Sequence, residues 1–276
     1  MINAFTVDIE DWQHSQIPSC NKDHWKPKSS RIILNIDILL KLLRDNNTKA
    51  TFFVLGCIAE ELPEILTKID KEGHEIGSHG YQHRLVYTLT PKEFEEDLVK
   101  SLKIVENIIH KKVVSFRAPY WSITRDSYWA LEIIKKNGLL YDSSIYPIKN
   151  FLYGIQDAPE FPYLLKGDLL EFPGSTVRFL MKKVPFGGGF FLRAYPYFFT
   201  RWCIESANNR GLPCMVYIHP HELDEYKYTC HGSLKETFIL QFGKNSVRKK
   251  LLRLLSVFKF GSLTEVAKKI KDDKDF

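Results

Sequence analysis

The run Ile2-Asn3-Ala4-Phe5-Thr6-Val7-Asp8-Ile9-Glu10-Asp11 sets the reading of the whole chain. Its apolar part is rich in β-branched and aromatic residues, the pattern of a buried strand, and it ends on three carboxylates within four residues. Working outward, Arg31 to Asn46 puts Ile32, Ile36, Leu39, Leu40 and Leu43 on one helical face. Lys49 to Leu55 reads as a second strand that Gly56 ends. Ala59 to Glu72 reads as a helix stopped by Gly73, and Glu75 to Ser78 as a short strand. Thr90-Pro91-x-Glu93 has the form of a capped helix start, with the helix running to about His110. Val113 to Arg117 predicts a strand, and Thr124 to Asn137 a helix with Gly138 as its cap. Leu169 to Phe172 and Cys214 to Ile218 complete the strands, separated by a helix near Tyr195 to Arg210. Strict alternation implies parallel strands with crossover helices, hence an α/β fold. About seven units suit a barrel or near-barrel in one domain over residues 1–276, with chemistry in the loops after the strands.

With 44% hydrophobic and 26% charged residues, the chain is neither disordered nor collagen-like. No run approaches the ~18 apolar residues of a membrane-spanning helix. The N-terminus meets Asp8 too early for a secretory signal, so a cytoplasmic location is expected. The net charge of +6 is scattered without the basic, aromatic-laced stripe of a nucleic-acid binder. One acid-free stretch, Lys244 to Lys259, carries Arg248, Lys249, Lys250 and Arg253 among leucines. It predicts a basic amphipathic helix whose charged face is either solvated or rests on anionic lipid at the membrane periphery. The five cysteines (Cys20, Cys57, Cys203, Cys214, Cys230) form no C-x-x-C pair and are read as idle thiols. No heptad or exposed strand speaks for an oligomer.

Chemistry gathers at the predicted strand ends. Asp8, Glu10 and Asp11 are costly to bury without a cation or a shared proton. His79 and His83 in Ser78-His79-Gly80-Tyr81-Gln82-His83 are four apart, on one face of a helical turn, and both can reach one metal. Gly80 stands where a metalloprotease would carry its Glu, so that reading fails. With a strand-end carboxylate the pair makes a two-His, one-carboxylate site with open positions. Arg117, in Phe116-Arg117-Ala118-Pro119-Tyr120-Trp121, is placed to pair with one of the acids. Asp142 lies in Tyr141-Asp142-Ser143-Ser144. His219, in Tyr217-Ile218-His219-Pro220-His221-Glu222, emerges toward the same rim as a general acid would.

Five such motifs in this order resemble the NodB-homology polysaccharide deacetylases, carbohydrate esterase family 4. The match extends from Ile2 to about Leu263 and includes Glu171-Phe172-Pro173, Gly187-Gly188-Gly189-Phe190-Phe191-Leu192-Arg193 and His219-Pro220-x-Glu222. Those details are closest to a branch found with exopolysaccharide genes, related to allantoinase-like and peptidoglycan-deacetylase-like members. The resemblance implies a distorted (β/α)7 barrel and a divalent metal, commonly Zn2+. It implies His79 and His83 as metal ligands, His219 as general acid, Arg117 as tether of the base and Asp142 as a late acidic partner. The carboxylate roles stay open between a base at Asp8 with a ligand at Glu10 or Asp11, and the adjacent pair Glu10-Asp11. His221 departs from the Trp of relatives. Trp12, Pro119, Tyr120 and Trp121 are the expected substrate contacts, with Phe190 and Phe191 as further aromatics for a sugar ring.

The implied activity is removal of N-acetyl groups from amino sugars of a glycan, or of a lipid-linked or nucleotide-linked precursor. Two alternatives keep the barrel: an allantoinase-like hydrolase of small amides, and a non-catalytic carbohydrate-binding protein. The glycine run Gly187–Gly189 bears on the choice, because a closed lid suits a small molecule and an open groove a glycan.

Overall fold

Why the chemistry collects at one end of the molecule follows from the strands. They are β1 (Asn3–Ile9), β2 (Thr51–Val54), β3 (Glu75–Ser78), β4 (Ser115–Phe116), β5 (Tyr141–Asp142), β6 (Tyr163–Leu164), β7 (Leu170–Glu171), β8 (Thr176–Phe179), β9 (Lys182–Pro185), β10 (Met215–Ile218) and β11 (Phe260–Gly261). The computed structural model describes residues 1–14, 26, 30–150, 153–165, 167–179, 182–226 and 234–272. One sheet runs in the order β10-β1-β2-β3-β4-β5-β7-β6, with β11 beside β1. β10, β1, β2, β3, β4, β5 and β7 are parallel neighbours, so their C-terminal ends share one rim. The path stays open between β10 and β6, giving a curled α/β half-barrel.

The helices are α1 (Ile32–Asp45), α2 (Gly56–Glu61), α3 (Pro63–Lys71), α4 (Pro91–Ile109), α5 (Trp129–Lys136), α6 (Gly189–Ala194), α7 (Tyr197–Asn208), α8 (Leu234–Gln241), α9 (Lys244–Val257) and α10 (Leu263–Asp272). Phe5, Val7 and Ile9 of β1 and Phe52 and Val54 of β2 pack with Ile32, Ile36, Leu39 and Leu43 of α1, all buried in one core. That is the face the periodicity predicts. Thr90 caps α4 as expected, its hydroxyl accepting from the Glu93 amide while Glu93 accepts from the Thr90 amide.

Several elements differ from the sequence reading. The helix predicted over 59–72 is two, because Pro63 has no N–H to continue a helix and starts α3 afresh. The helix predicted from Thr124 begins at Trp129, since Thr124 and Ser127 bond each other and close a short 3-10 turn first. Strict alternation is broken by the antiparallel pairs β6–β7 and β8–β9. Gly187–Gly189 is not a lid. Gly187 accepts from the Tyr217 amide at 2.9 Å, and a Cβ on Gly188 would lie 2.1 Å from the Tyr217 carbonyl oxygen. Only glycine lets this segment lie against β10.

α9 is the predicted basic helix, but its cations divide. Arg248, Lys249 and Arg253 are exposed, whereas Lys244 and Lys250 are buried. Lys250 Nζ donates to the carbonyls of Leu192, Arg193 and Tyr195, holding the end of α6. Cys203 and Cys214 are buried thiols pushed up to about 12 by burial, hence inert, and Cys57 is half-buried. Cys20 and Cys230 lie outside the described residues. Among the described residues no helix is long and apolar enough to cross a membrane.

Candidate metal centre and catalytic cleft

The end of β1 sorts the three carboxylates. Asp8, in β1, and Glu10, just beyond it, bring carboxylate oxygens into one cluster with His219, whereas Asp11 belongs to no such cluster among the described residues. The Asp11 carboxylate accepts from the Trp12 amide at 2.8 Å and from the Ser30 hydroxyl at 2.5 Å, and does not join the group around Glu10. Glu10 is buried with one oxygen 3.1 Å from His83 Nε2 and the other 3.0 Å from His219 Nε2. Burial opposes its charge, but the imidazoles around it, with His219 protonated, hold the carboxyl well below the ordinary range.

His79 and His83 converge through a loop, not the helical turn expected. Gly80 (φ +75°) and His83 (φ +56°) are both left-handed and fold the segment back. His79 Nδ1–H donates to the Arg117 carbonyl at 2.7 Å, and His83 Nδ1–H to the His14 carbonyl at 2.9 Å. Both Nε2 atoms are thereby left as lone pairs, the orientation that metal-binding imidazoles take from their outer partners. Burial keeps both rings neutral, lowering His79 and bringing His83 to about 3. Donor atoms of Glu10, His79 and His83 lie within 4.8 Å of one another. A neutral imidazole lone pair facing a carboxylate in a buried site is repulsive unless a cation lies between them. The donor set therefore fits a divalent metal ion.

Arg117 has no solvent exposure. Its Nη1 donates to Asp8 Oδ1 at 2.6 Å, its Nε to the Ser143 carbonyl at 3.3 Å and its Nη2 to the Ser143 hydroxyl at 2.9 Å. The Phe53 and Trp121 rings lie against the guanidinium, with centroids 4.4 and 4.6 Å away. Asp8 is thus fixed beside Glu10 and His219.

His219 is held at both ring nitrogens. Nε2 meets Glu10, Nδ1 lies 3.2 Å from Glu222 Oε2, and the same Glu222 oxygen accepts the His219 amide at 3.0 Å. Burial would lower its pKa, but Glu10 and Glu222 raise it well above the usual histidine value, so the ring keeps its proton. Glu222 is anchored by Arg193 Nε at 2.7 Å, while Arg193 Nη1 donates to the carbonyls of Ile239, Leu240 and Phe242. Burial works against the Glu222 charge, but the His219 hydrogen bond and charge and Arg193 bring it down to about 2. Neither Glu222 nor Arg193 had a role from sequence; the His-x-x-Glu spacing was the available signal.

Asp142 stands apart from this group. It pairs in register with Glu171 on the neighbouring strand, and both are fully buried. Ser144 donates to Asp142 Oδ1 at 2.6 Å, and the Ile145 amide to Glu171 Oε1 at 2.9 Å. Among the described residues Asp142 Oδ2 and Glu171 Oε2 have no hydrogen-bond donor, an arrangement that calls for a proton between the two carboxyls. Burial pushes Asp142 up to about 6, and burial with the Asp142 charge pushes Glu171 well above the carboxylate range.

A cavity of about 170 Å³ opens over the centre, with Glu10, Asp11, Tyr120, Phe190, His219 and His221 among its walls. Of the four expected substrate contacts, Tyr120 reaches it. Tyr120 (φ +57°) and Trp121 (φ +55°) are successive left-handed residues, a strain of ~1–3 kcal/mol each that clusters at functional sites. The turn sets the Tyr120 ring 4.7 Å from His83, with its hydroxyl donating to the His14 carbonyl at 2.9 Å. Trp121 is buried, stacked on Tyr146 at 5.0 Å beneath Arg117, and Pro119 is buried as well. Trp12 is half-buried in a short turn and is not among the cavity walls. His221 stacks on His219 at 5.3 Å.

Residues 35–141 match the polysaccharide deacetylase family. Over that segment the chain is similar to polysaccharide deacetylases. Residues 143–268 match a family described only as a domain of unknown function, DUF3473. The chain is 32% identical over 112 residues to a peptidoglycan deacetylase of Helicobacter pylori, covering 41% of this chain and 37% of that protein. It is 35% identical over 95 residues to a peptidoglycan-N-acetylglucosamine deacetylase of Bacillus cereus (34% of each), and 33% identical over 102 residues to a chitooligosaccharide deacetylase of Azorhizobium caulinodans (36% of this chain, 46% of that one). The chain thus spans less than half the length of these relatives.

Two solved structures share the fold. A candidate polysaccharide deacetylase of Mycobacterium smegmatis superposes with a TM-score of 0.63 at 16% identity, over 99% of this chain and 92% of that one. Peptidoglycan deacetylase PdaC of Bacillus subtilis gives 0.54 at 16% identity, over 99% and 93%. The likeness is one of fold: a curled, mostly parallel α/β half-barrel.

Proposed function

We propose that this protein is a metal-dependent N-deacetylase of N-acetylated amino sugars within a glycan or glycan precursor. The observation that carries the reading is Glu10, buried between His83 and His219, with His79 and the Arg117-held Asp8 in the same cluster. Glu10, His79 and His83 would hold the metal, and two neutral imidazoles with one carboxylate suit Zn2+. Once bound, the metal supplies Lewis acidity toward the acetamido carbonyl and acidifies water. Asp8, held in one orientation by Arg117, takes the proton of the attacking water. His219, kept protonated between Glu10 and Glu222, gives its proton to the amine nitrogen as the C–N bond breaks. Amide and water thereby become acetate and a free amine. Glu222 and Arg193 keep the His219 ring turned toward that nitrogen.

The cavity is below the ~300–1,000 Å³ of a site that engulfs a whole small molecule. It suits an acetamido group entering from a sugar that rests outside, against Tyr120 and Phe190. The Gly187–Gly189 run, packed under β10, offers no lid for an allantoinase-like small-amide hydrolase. A single domain over residues 1–276 is supported by β7 and β10, which lie in the second family match and pair with β5 and β1.

The test is acetate release from N-acetylglucosamine oligomers and from lipid-linked and nucleotide-linked N-acetyl sugars, after chelation and after restoring zinc or cobalt. Metal-dependent release is the expected outcome. Silence on every glycan with metal stoichiometrically bound would overturn the proposal in favour of small amides.

A further inference from the structure

Large aromatic side chains are exposed together on one face. Phe198 and Trp202, four apart on α7, are 72% and 43% exposed, and Phe179 at the end of β8 is 49% exposed with its ring edge-on to Trp202 at 6.5 Å. The opposite side of α7 supplies Cys203, Ile204 and Ala207 to the core, so these rings are not core residues turned out by chance. Lone exposed apolar residues are ordinary, but a contiguous group marks an interaction surface.

Charge identifies what the surface meets. Lys182, paired with Phe179 across the hairpin, and Arg201, next to Trp202, are exposed beside the rings, while Arg178 is exposed on the hairpin's other face. Arg253 of α9 sits over the Tyr197 ring at 5.4 Å, which brings in the exposed Arg248, Lys249 and Leu252 of that helix. No Asp or Glu occurs between residues 237 and 264. Of the acids nearby, Glu205 is engaged by Arg201 at 2.7 Å, and Glu160 by Arg178 at 2.8 Å. Exposed Phe, Trp and Leu ringed by Lys and Arg is the composition of elements that lie in a membrane interface, rings at the acyl boundary and cations on lipid phosphates.

We infer that the face built by α7, the β8–β9 hairpin and α9 docks on an anionic membrane surface. It is continuous with the cleft. Phe190 of the cavity wall leads through Phe191 (6.1 Å), Tyr195 (6.2 Å) and Phe199 (4.8 Å) to Trp202 (5.8 Å). Docking therefore brings the cleft to the bilayer, where it meets glycan precursors carried on lipid in preference to nucleotide-linked sugars. That last consequence rests on the deacetylase reading; the docking itself does not.

The experiment is sedimentation of the full chain with vesicles of phosphatidylcholine alone and of phosphatidylcholine mixed with phosphatidylglycerol, at rising salt. Binding to the mixed vesicles alone, weakened by salt and reduced about tenfold or more in Phe198→Ser/Trp202→Ser, is the expected result. Acetate release from a soluble N-acetylglucosamine oligomer stays unchanged in that variant. Phe198→Ser by itself, at the most exposed ring, gives the same direction should the double variant fold poorly. No binding to anionic vesicles, or equal binding by folded variants, overturns the inference. So does a variant that only turns an oligomer into monomers by light scattering, which would make the face a contact between copies. Vesicle binding without acetate release on any sugar would leave docking standing and refute the deacetylase.

Discussion

Replacing Glu171 with Gln is expected to stabilise the protein, and increasingly so as pH rises. Carboxyl groups ordinarily titrate near ~4. Burial raises Asp142 to about 6, and burial with the Asp142 charge raises Glu171 well beyond its usual value. A folded-state pKa above the unfolded one means that the fold holds a proton the open chain releases. The associated stability is complete below about pH 4 and is lost as pH climbs toward the folded pKa. For Asp142 a rise of roughly two units corresponds to about 3 kcal/mol, spent by pH ~6. For Glu171, raised further, the loss continues to higher pH. In Glu171→Gln the amide oxygen still accepts from Ile145, and the amide N–H permanently supplies the donor that Asp142 Oδ2 requires. Urea unfolding of both proteins at about pH 5, 6 and 7 should show the variant gaining on the wild type at each step up in pH. A difference that does not change with pH, or a variant that loses ground as pH rises, would refute the shared proton.

Arg117→Met leaves the buried Asp8 carboxylate without its partner and should cost about 3–5 kcal/mol in chemical unfolding; a loss under about 1 kcal/mol would contradict the pairing. His79→Ala/His83→Ala should lower bound metal from about one equivalent to none by elemental analysis, because two of the three clustered donors are gone. His219→Ala should reduce kcat by about 10²–10⁴-fold with metal content retained, whereas Glu222→Gln, which misorients the ring without removing it, should cost about 10–100-fold. Loss of metal in either variant would assign His219 to the metal and not to proton transfer.

The β/α alternation was legible because helix and strand periods are local, and β1, α1, β2, β3 and α4 fall where those periods put them. The hairpin β8–β9 was not read. Leu180 and Met181 stand between its strands in sequence, without the Asn or Gly that marks a tight turn. His79 and His83 were legible as a pair, though a helical turn was the wrong geometry for them. The period of two placed Asp8 and Glu10 on one side but could not choose between Glu10 and Asp11 at a strand end free to twist. Ser30 and Trp12 decided that by engaging Asp11. Glu222, Arg193 and Glu171 carried no role in sequence because each acts on a group from another element or through a turn. Glu171 meets Asp142 across two strands in register, and Arg193 reaches Glu222 from α6.

By itself, then, the sequence determined the fold class and the inventory of donors, acids and cations at the strand ends, since both depend on spacing along the chain. Tertiary structure alone decided which acid faces the histidines, which carboxyl shares a proton and which aromatic rings meet solvent. Those outcomes depend on distances between residues far apart in sequence, and on a low-dielectric interior that forces every buried charge to find its partner.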